Sequence, residues 1–240
     1  MNIALIFAGG VGSRMNSVEK PKQFLELHNK PIIIHTIEHF ENHPLIDAIV
    51  LVCVEEWIDY CKEILERYNI KKVKRIVAGG KTGQMSIYLG LKAANEFATE
   101  DSIVLIHDGV RPLINEQIIT DNIDSVKKFG SAITTSKVTE TILVVEEESK
   151  KISEVPDRNN SRVAKAPQSY YLKDVLAVEE EAVSKGEENW IDTCTLMNHY
   201  GYKLHLIDGP AENIKITTPT DFYIMRAIID ARENAQIYGY

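Results

Sequence analysis

Cysteine is scarce in this 240-residue chain, which contains only Cys53, Cys61 and Cys194. They are widely spaced, odd in number and form no CxxC pair. Neither a disulfide framework nor a structural zinc site is therefore suggested, and a reducing cytoplasm is the expected setting. Positive charge is also in deficit, with 27 Lys and Arg against 35 Asp and Glu for a formal net charge of -8. A chain that gripped nucleic acid through its phosphates would carry the opposite surplus, so no nucleic-acid partner is expected and any phosphate site must be local. Long apolar runs are missing. The opening MNIALIFAGG has no basic residue ahead of its short apolar stretch and reaches glycine at Gly9, too soon for a signal peptide or a membrane span. Repeats and low-complexity tracts do not occur either.

What is present is a globular composition, 44% hydrophobic and 26% charged, enough for one sizeable core. Apolar runs bounded by turn residues recur at 3–7, 48–54, 73–77, 103–106, 132–135 and 203–207, each patterned as a strand buried on both faces. Helical spacing fills the gaps at 32–40, 56–68, 84–97, 116–129 and 172–184, with a closing helix at 221–233. Strand alternating with helix predicts an α/β, Rossmann-like, mostly parallel sheet with helices on both faces and a ligand site beyond the carboxyl ends of the strands. The alternation breaks at 138–166, where TETILVV, a charged EEESKK turn and ISEV form a hairpin pattern. Such a hairpin projects from the body as a lid or as an arm that pairs with another subunit, and the arm is the expectation. One domain over residues 1–240, with 138–166 as an inserted β-arm, is the predicted organisation.

After the first strand comes Ala8-Gly9-Gly10-Val11-Gly12-Ser13-Arg14-Met15, then Pro21-Lys22-Gln23. Glycines here let backbone N–H groups approach an anion closely, while Arg14 and Lys22 supply full charge, which outlines a triphosphate cradle. The spacing matches neither a P-loop, GxxxxGK followed by Ser or Thr, nor the dinucleotide fingerprint GxGxxG. His107-Asp108-Gly109-Val110-Arg111-Pro112 directly follows a predicted strand, so Asp108 points into the ligand crevice as a candidate Mg²⁺ ligand or, alternatively, caps the turn. His107 is expected to be a packed or hydrogen-bonded ring.

AGGVGSRM, PKQFLEL, KPIIIHTIEHF, AGGKTGQMSI, HDGVRP, VPDRNNSRVAKAPQSY and ENIKITTPTDF occur in order along nearly the whole chain. Together they resemble the nucleotidyltransferase family that includes methylerythritol-phosphate and ribitol-5-phosphate cytidylyltransferases, and PKQFL, KPIIIHTIEHF and VEEWI are more similar to its ribitol-phosphate branch. The resemblance implies CMP transfer from CTP to a polyol phosphate with release of pyrophosphate, serving a surface polysaccharide or teichoic-acid-like glycan.

It implies further that Ala8, Gly9, Gly10, Gly12 and Ser13 wrap CTP, that Arg14 holds the outer phosphates and that Lys22 meets the α-phosphate, where transition-state charge collects. Lys215 would be a second cation at the reacting phosphates, Thr217 a substrate contact, Asp108 the holder of Mg²⁺ and nucleotide, and Arg111 a nearby structural or substrate-side cation. Gly80 and Ser86 would read cytosine, although Gly83 stands where many relatives carry arginine. Thr141 and Arg158 would reach from the arm into a neighbouring subunit's site to hold the polyol phosphate, making the enzyme a homodimer. Ala166 replaces the threonine of the usual TPQ and Ile191 that of the usual Thr-Asp pair, so the acceptor differs in hydroxyl recognition. Methylerythritol 4-phosphate and other alditol phosphates, such as those of arabinitol and mannitol, stay open as acceptors, and a CTP-binding regulator without catalysis stays open as a different class.

Overall fold

The computed structural model describes residues 1–8 and 20–238, with side chains as far as residue 235. In chain order, β1 (Asn2–Ala8) leads to a 3-10 turn at Lys22–Phe24, then to β2 (Glu26–Leu27) and β3 (Lys30–Pro31), which form a short hairpin. There follow α1 (Ile32–Glu41), β4 (Ala48–Cys53), α2 (Ile58–Arg67), β5 (Val73–Ala78), α3 (Gly83–Asn95), β6 (Ile103–Asp108), α4 (Glu116–Phe129) and β7 (Ser131–Lys137). The second half contains β8 (Val144–Val145), β9 (Ile152–Glu154), β10 (Arg162–Tyr171), α5 (Leu172–Ser184), α6 (Thr193–His199), β11 (Leu206–Asp208) and α7 (Pro219–Tyr238).

The main sheet has seven strands in the order β11-β7-β10-β6-β1-β4-β5. β1 runs parallel to β4 and β6, β4 to β5, and β7 to β11, so the sheet is mostly parallel as its apolar runs predict. Successive side chains on a strand point to opposite faces. Ala4 and Ile6 accordingly pack with Ile33, Ile37, Ile64 and Ile123 of α1, α2 and α4. Ile3 and Leu5 pack on the other face with Ile87, Leu91, Val175 and Leu196 of α3, α5 and α6. The buried strands β4 and β6 have apolar neighbours above and below, which is why they carry continuous runs without period-two alternation.

Two expectations need correction. The arm does not extend to residue 166, because residues 162–166 belong to β10, which lies inside the sheet antiparallel to both β6 and β7. Its sequence, RVAKAPQSYY, does not stand out as a central strand because proline cannot donate to a ladder. The structure accommodates Pro167 at a register shift between Ala164 and Gln168. The late strand is also shorter and later than predicted, Leu206–Asp208 rather than 203–207, and α6 has too few apolar positions to announce itself. The hairpin of β8 and β9 is present and forms its own two-stranded sheet. No described helix is long and apolar enough to cross a membrane.

Candidate active site

The carboxyl ends of β1 and β6 lie side by side, Phe7 opposite Asp108. Gly109 then packs so closely under β1 that a Cβ there would sit 3.0 Å from the Ala8 Cβ, and its N–H donates to the Phe7 carbonyl at 3.0 Å. A side chain at 109 would fit only if β1 or the turn that carries Asp108 gave way by a few tenths of an ångström. Thr36 donates to the Gly109 carbonyl at 3.1 Å and His39 bonds the Pro112 carbonyl at 2.9 Å, so α1 holds the same turn from behind. The expected packing role of His107 is what the structure shows: its ring lies against Phe40, with centroids 5.2 Å apart, and its Nε2 meets the Arg111 carbonyl at 3.0 Å. Burial pushes its pKa down to about 4, so the ring is neutral near pH 7 and its one N–H is committed to the Arg111 carbonyl.

Asp108 is held between two cations. Arg111 donates from Nε to Oδ2 at 2.8 Å, and Lys215 Nζ lies 2.6 Å from Oδ1. Burial alone would raise the carboxyl's pKa, but the Lys215 and Arg111 charges override it and hold the group well below the ordinary carboxylate range. Segment 211–217 closes over this pair. Arg111 donates to the Asn213 carbonyl at 2.9 Å, Ile216 N to the Val110 carbonyl at 2.9 Å, and Lys22 Nζ to the Ile216 carbonyl at 2.9 Å. Two predicted catalytic lysines from distant segments, Lys22 and Lys215, are thereby brought to one short stretch of backbone. Gln23 reaches the other way, donating to the Ala8 carbonyl at 2.7 Å, and so ties the Lys22 turn to the end of β1.

The remaining predicted residues fall in four groups. Gly9, Gly10, Gly12, Ser13 and Arg14 lie outside the described residues. Gly80 and Ser86 sit at the start of α3 and shape the loop: Gly80 N donates to Ser86 Oγ at 3.1 Å, Ser86 Oγ donates to the Thr82 carbonyl at 2.9 Å, and Thr82 caps the helix by accepting from Met85 N at 3.1 Å. A Cβ on Gly80 would lie 2.5 Å from that of Met85, so glycine is obligatory there. Thr217 donates its hydroxyl to Asp221 at 2.7 Å and helps cap α7. Thr141 and Arg158 are exposed beside the hairpin and do not line the cleft of their own chain.

A cleft runs from Asp108, Arg111 and Lys215 past Ala166 and Ile191 to Gln84 and Glu179. Ala166 and Ile191, singled out by their missing hydroxyls, therefore do face it, Ile191 from the mouth at 87% exposure. Sequence reasoning missed Lys165, whose ammonium donates to the carbonyls of Ala211 and Asn213 at 3.0 and 3.2 Å, because it sits at the end of the stretch assigned to the arm. It also missed Asp192, which accepts from Thr195 N at 2.8 Å as the cap of α6 and from Gln168 at 3.2 Å. Glu179 was hidden among the acidic run of α5. The cluster of His28, Asp230 and Glu233 that could hold a metal ion is formed by the β2–β3 turn and α7 instead of by the cleft.

This arrangement gathers lysine and arginine charge at the carboxyl ends of parallel strands, with a cleft leading away, and it suits joining two anionic substrates. The sequence profile of the 2-C-methyl-D-erythritol 4-phosphate cytidylyltransferase family matches residues 2–231. The chain is 60% identical over 239 residues to a ribitol-5-phosphate cytidylyltransferase of Streptococcus agalactiae serotype V, covering 100% of this chain and 99% of that one. It is 38% identical to a 2-C-methyl-D-erythritol 4-phosphate cytidylyltransferase of Clostridium botulinum, covering 95% and 97% of the two chains. Among solved structures, 4-diphosphocytidyl-2C-methyl-D-erythritol synthase of Anaerococcus prevotii superposes with a TM-score of 0.81 at 28% identity, over 95% of this chain and 96% of that one. With a matching profile, near-complete coverage and the same α/β architecture, the chain belongs to the 2-C-methyl-D-erythritol 4-phosphate cytidylyltransferase family of nucleotidyltransferases.

Proposed function

We propose that this enzyme transfers the cytidylyl group of CTP to ribitol 5-phosphate, releasing pyrophosphate and supplying an activated polyol for a surface glycan. The observation that carries the reading is the pairing of Arg111 and Lys215 with Asp108, with Lys22 anchored on the neighbouring Ile216 carbonyl, in a chain so similar to a ribitol-5-phosphate cytidylyltransferase. A phosphate oxygen of the acceptor attacks the α-phosphorus of CTP, and the bond from that phosphorus to the bridging oxygen breaks as pyrophosphate leaves. The nucleophile is already ionised at neutral pH, since the second pKa of a phosphate monoester is about 6, so no general base is needed. Lys22 and Lys215 stabilise charge on the non-bridging oxygens, with Arg14 on the outer phosphates and Arg111 on the acceptor side.

Mg²⁺ fits this scheme as a partner of the triphosphate. It takes one or two carboxylates together with substrate phosphates, and ionised Asp108 is a carboxylate of that kind at the cleft. It would hold the ion beside Lys215, and the ion would neutralise phosphate charge. The second subunit belongs to the proposal as well. Leu143, Val144, Val145, Ile152 and Val155 of the arm are each between 43% and 57% exposed, an apolar surface that a partner would cover. Thr141 and Arg158 then serve the partner's cleft, where a guanidinium suits a phosphate.

The deciding experiment measures pyrophosphate release from CTP with the phosphates of ribitol, arabinitol, mannitol, glycerol and methylerythritol. Ribitol 5-phosphate is expected to give the highest kcat/KM, and a preference for methylerythritol 4-phosphate would overturn the assignment. Ala166 and Ile191 speak against the latter, because they remove hydroxyls from the cleft that the usual motifs provide. Gel filtration of the active enzyme is expected to show a dimer, and a fully active monomer would remove the shared site.

A further inference from the structure

The inner end of the cleft holds a carboxyl group for which the proposed chemistry has no use. Glu179 on α5 is 1% exposed yet lines the cleft. One oxygen, Oε2, accepts from Gln84 Nε2 at 3.0 Å. The other, Oε1, has no partner, and the side chain forms no ion pair among the described residues. Gln84 has nothing further to offer a ligand, because its Nε2 also donates to the Glu187 carbonyl at 2.8 Å and its Oε1 accepts from Trp190 N at 2.8 Å. The amide therefore fixes the carboxyl in place and leaves its other oxygen buried without a protein partner. On the adjoining strand β10 the hydroxyl of Tyr170, fully buried, is likewise unpartnered.

Burying a carboxyl against one neutral amide is costly, and most buried polar atoms are satisfied, so an unpaired buried oxygen on a residue that lines a cleft calls for a ligand atom. The two ends of the cleft differ in chemistry. Cations gather at Asp108, where a phosphate belongs, while the other end presents a carboxyl oxygen suited to alcohol hydroxyls. We propose that Glu179 is a specificity-determining residue that hydrogen-bonds the acceptor hydroxyls furthest from the phosphate and so reads the length of the polyol. This rests on the polyol-phosphate reading of the cleft given above.

The test compares the native enzyme with Glu179→Leu and Glu179→Gln on CTP and three acceptors of rising length: glycerol 3-phosphate, erythritol 4-phosphate and ribitol 5-phosphate. The quantity read is the ratio of kcat/KM for ribitol 5-phosphate to that for glycerol 3-phosphate. Glu179→Leu is expected to lower this ratio by about tenfold or more, mainly through KM of the longer acceptor, because a hydroxyl deprived of its partner discriminates strongly. Glu179→Gln keeps an oxygen at the site and is expected to recover most of the ratio. An unchanged ratio would overturn the inference, as would an equal loss on all three acceptors accompanied by a raised KM for CTP, since Glu179 would then only prop α3 against α5. Calorimetric titration of the same acceptors gives the ratio as affinities and does not depend on turnover. If the native enzyme prefers an acceptor other than ribitol 5-phosphate, the ribitol assignment fails, while the effect of the substitutions on length dependence still decides the role of Glu179.

Discussion

Two buried carboxylates face the same cleft and are treated in opposite ways. Asp108, 6% exposed, is clamped by Arg111 at 2.8 Å and Lys215 at 2.6 Å, and stays ionised far into acid. Glu179, 1% exposed, has a single neutral partner, and burial raises its pKa to about 7 against the opposing hydrogen bond from Gln84. The difference separates the reacting end from the recognition end. Charge that must balance phosphates is fixed in advance and fully ionised at one end, while at the other a carboxyl poised between its two forms keeps a buried oxygen without a protein partner.

The largest effect should come from the cationic end. Lys22→Ala or Lys215→Ala is expected to lower kcat by about a hundredfold or more while KM for CTP changes far less, since each lysine binds the transition state more strongly than the ground state. Steady-state kinetics on folded protein checks this, and unchanged turnover would remove the lysine from catalysis. Next comes Asp108→Asn, which leaves Arg111 and Lys215 facing each other without a counter-charge. Breaking such a buried pair costs about 3 kcal/mol, or roughly 6–12 °C in Tm for a chain of this size. Thermal melting at pH 7 checks it. A melting temperature within a degree or two of the native one would mean that Lys215 simply swings into water.

How much of this was legible in the sequence follows the same division. Strands β1, β4 and β6 are buried on both faces, so their apolar runs stand out, and the glycine turn and HDGVRP after them mark the reacting end directly. Lys22 and Lys215, 193 positions apart in the chain, needed the family resemblance before they could be placed together. The recognition end was mostly illegible. β10 carries a lysine, a proline and a glutamine because it borders a polar cleft and bulges there, so it does not look like a central strand. Glu179 lies in the run Glu179-Glu180-Glu181, where three identical residues on one helix give no hint that only the first turns inward. Ala166 and Ile191 were visible only as departures from motifs, which identified the cleft but not what fills it.

The finest test of the contrast is the pH dependence of stability. A carboxyl whose folded pKa lies above its unfolded value binds protons more tightly when folded, so its contribution is complete below the unfolded value and is lost as pH rises through the folded one. For Glu179 that window runs from the ordinary 4.5 up to about 7. Asp108, shifted downward, behaves in reverse: its contribution is present above the ordinary 3.8 and is lost on acidification. Native Glu179 thus burdens the fold at alkaline pH, and Glu179→Gln removes that burden while keeping the amide-sized shape. The variant is expected to gain about 1–3 kcal/mol over the native enzyme at pH 8, a rise of several degrees in Tm, and to gain almost nothing at pH 4, where the glutamic acid is protonated in both states. Melting curves of the two proteins at pH 4, 6 and 8 give the difference directly. A gain that is equal at all three would place the effect in packing, whereas one that grows with pH ties the strain to the carboxyl that reads the acceptor and explains why a less stable residue occupies the site.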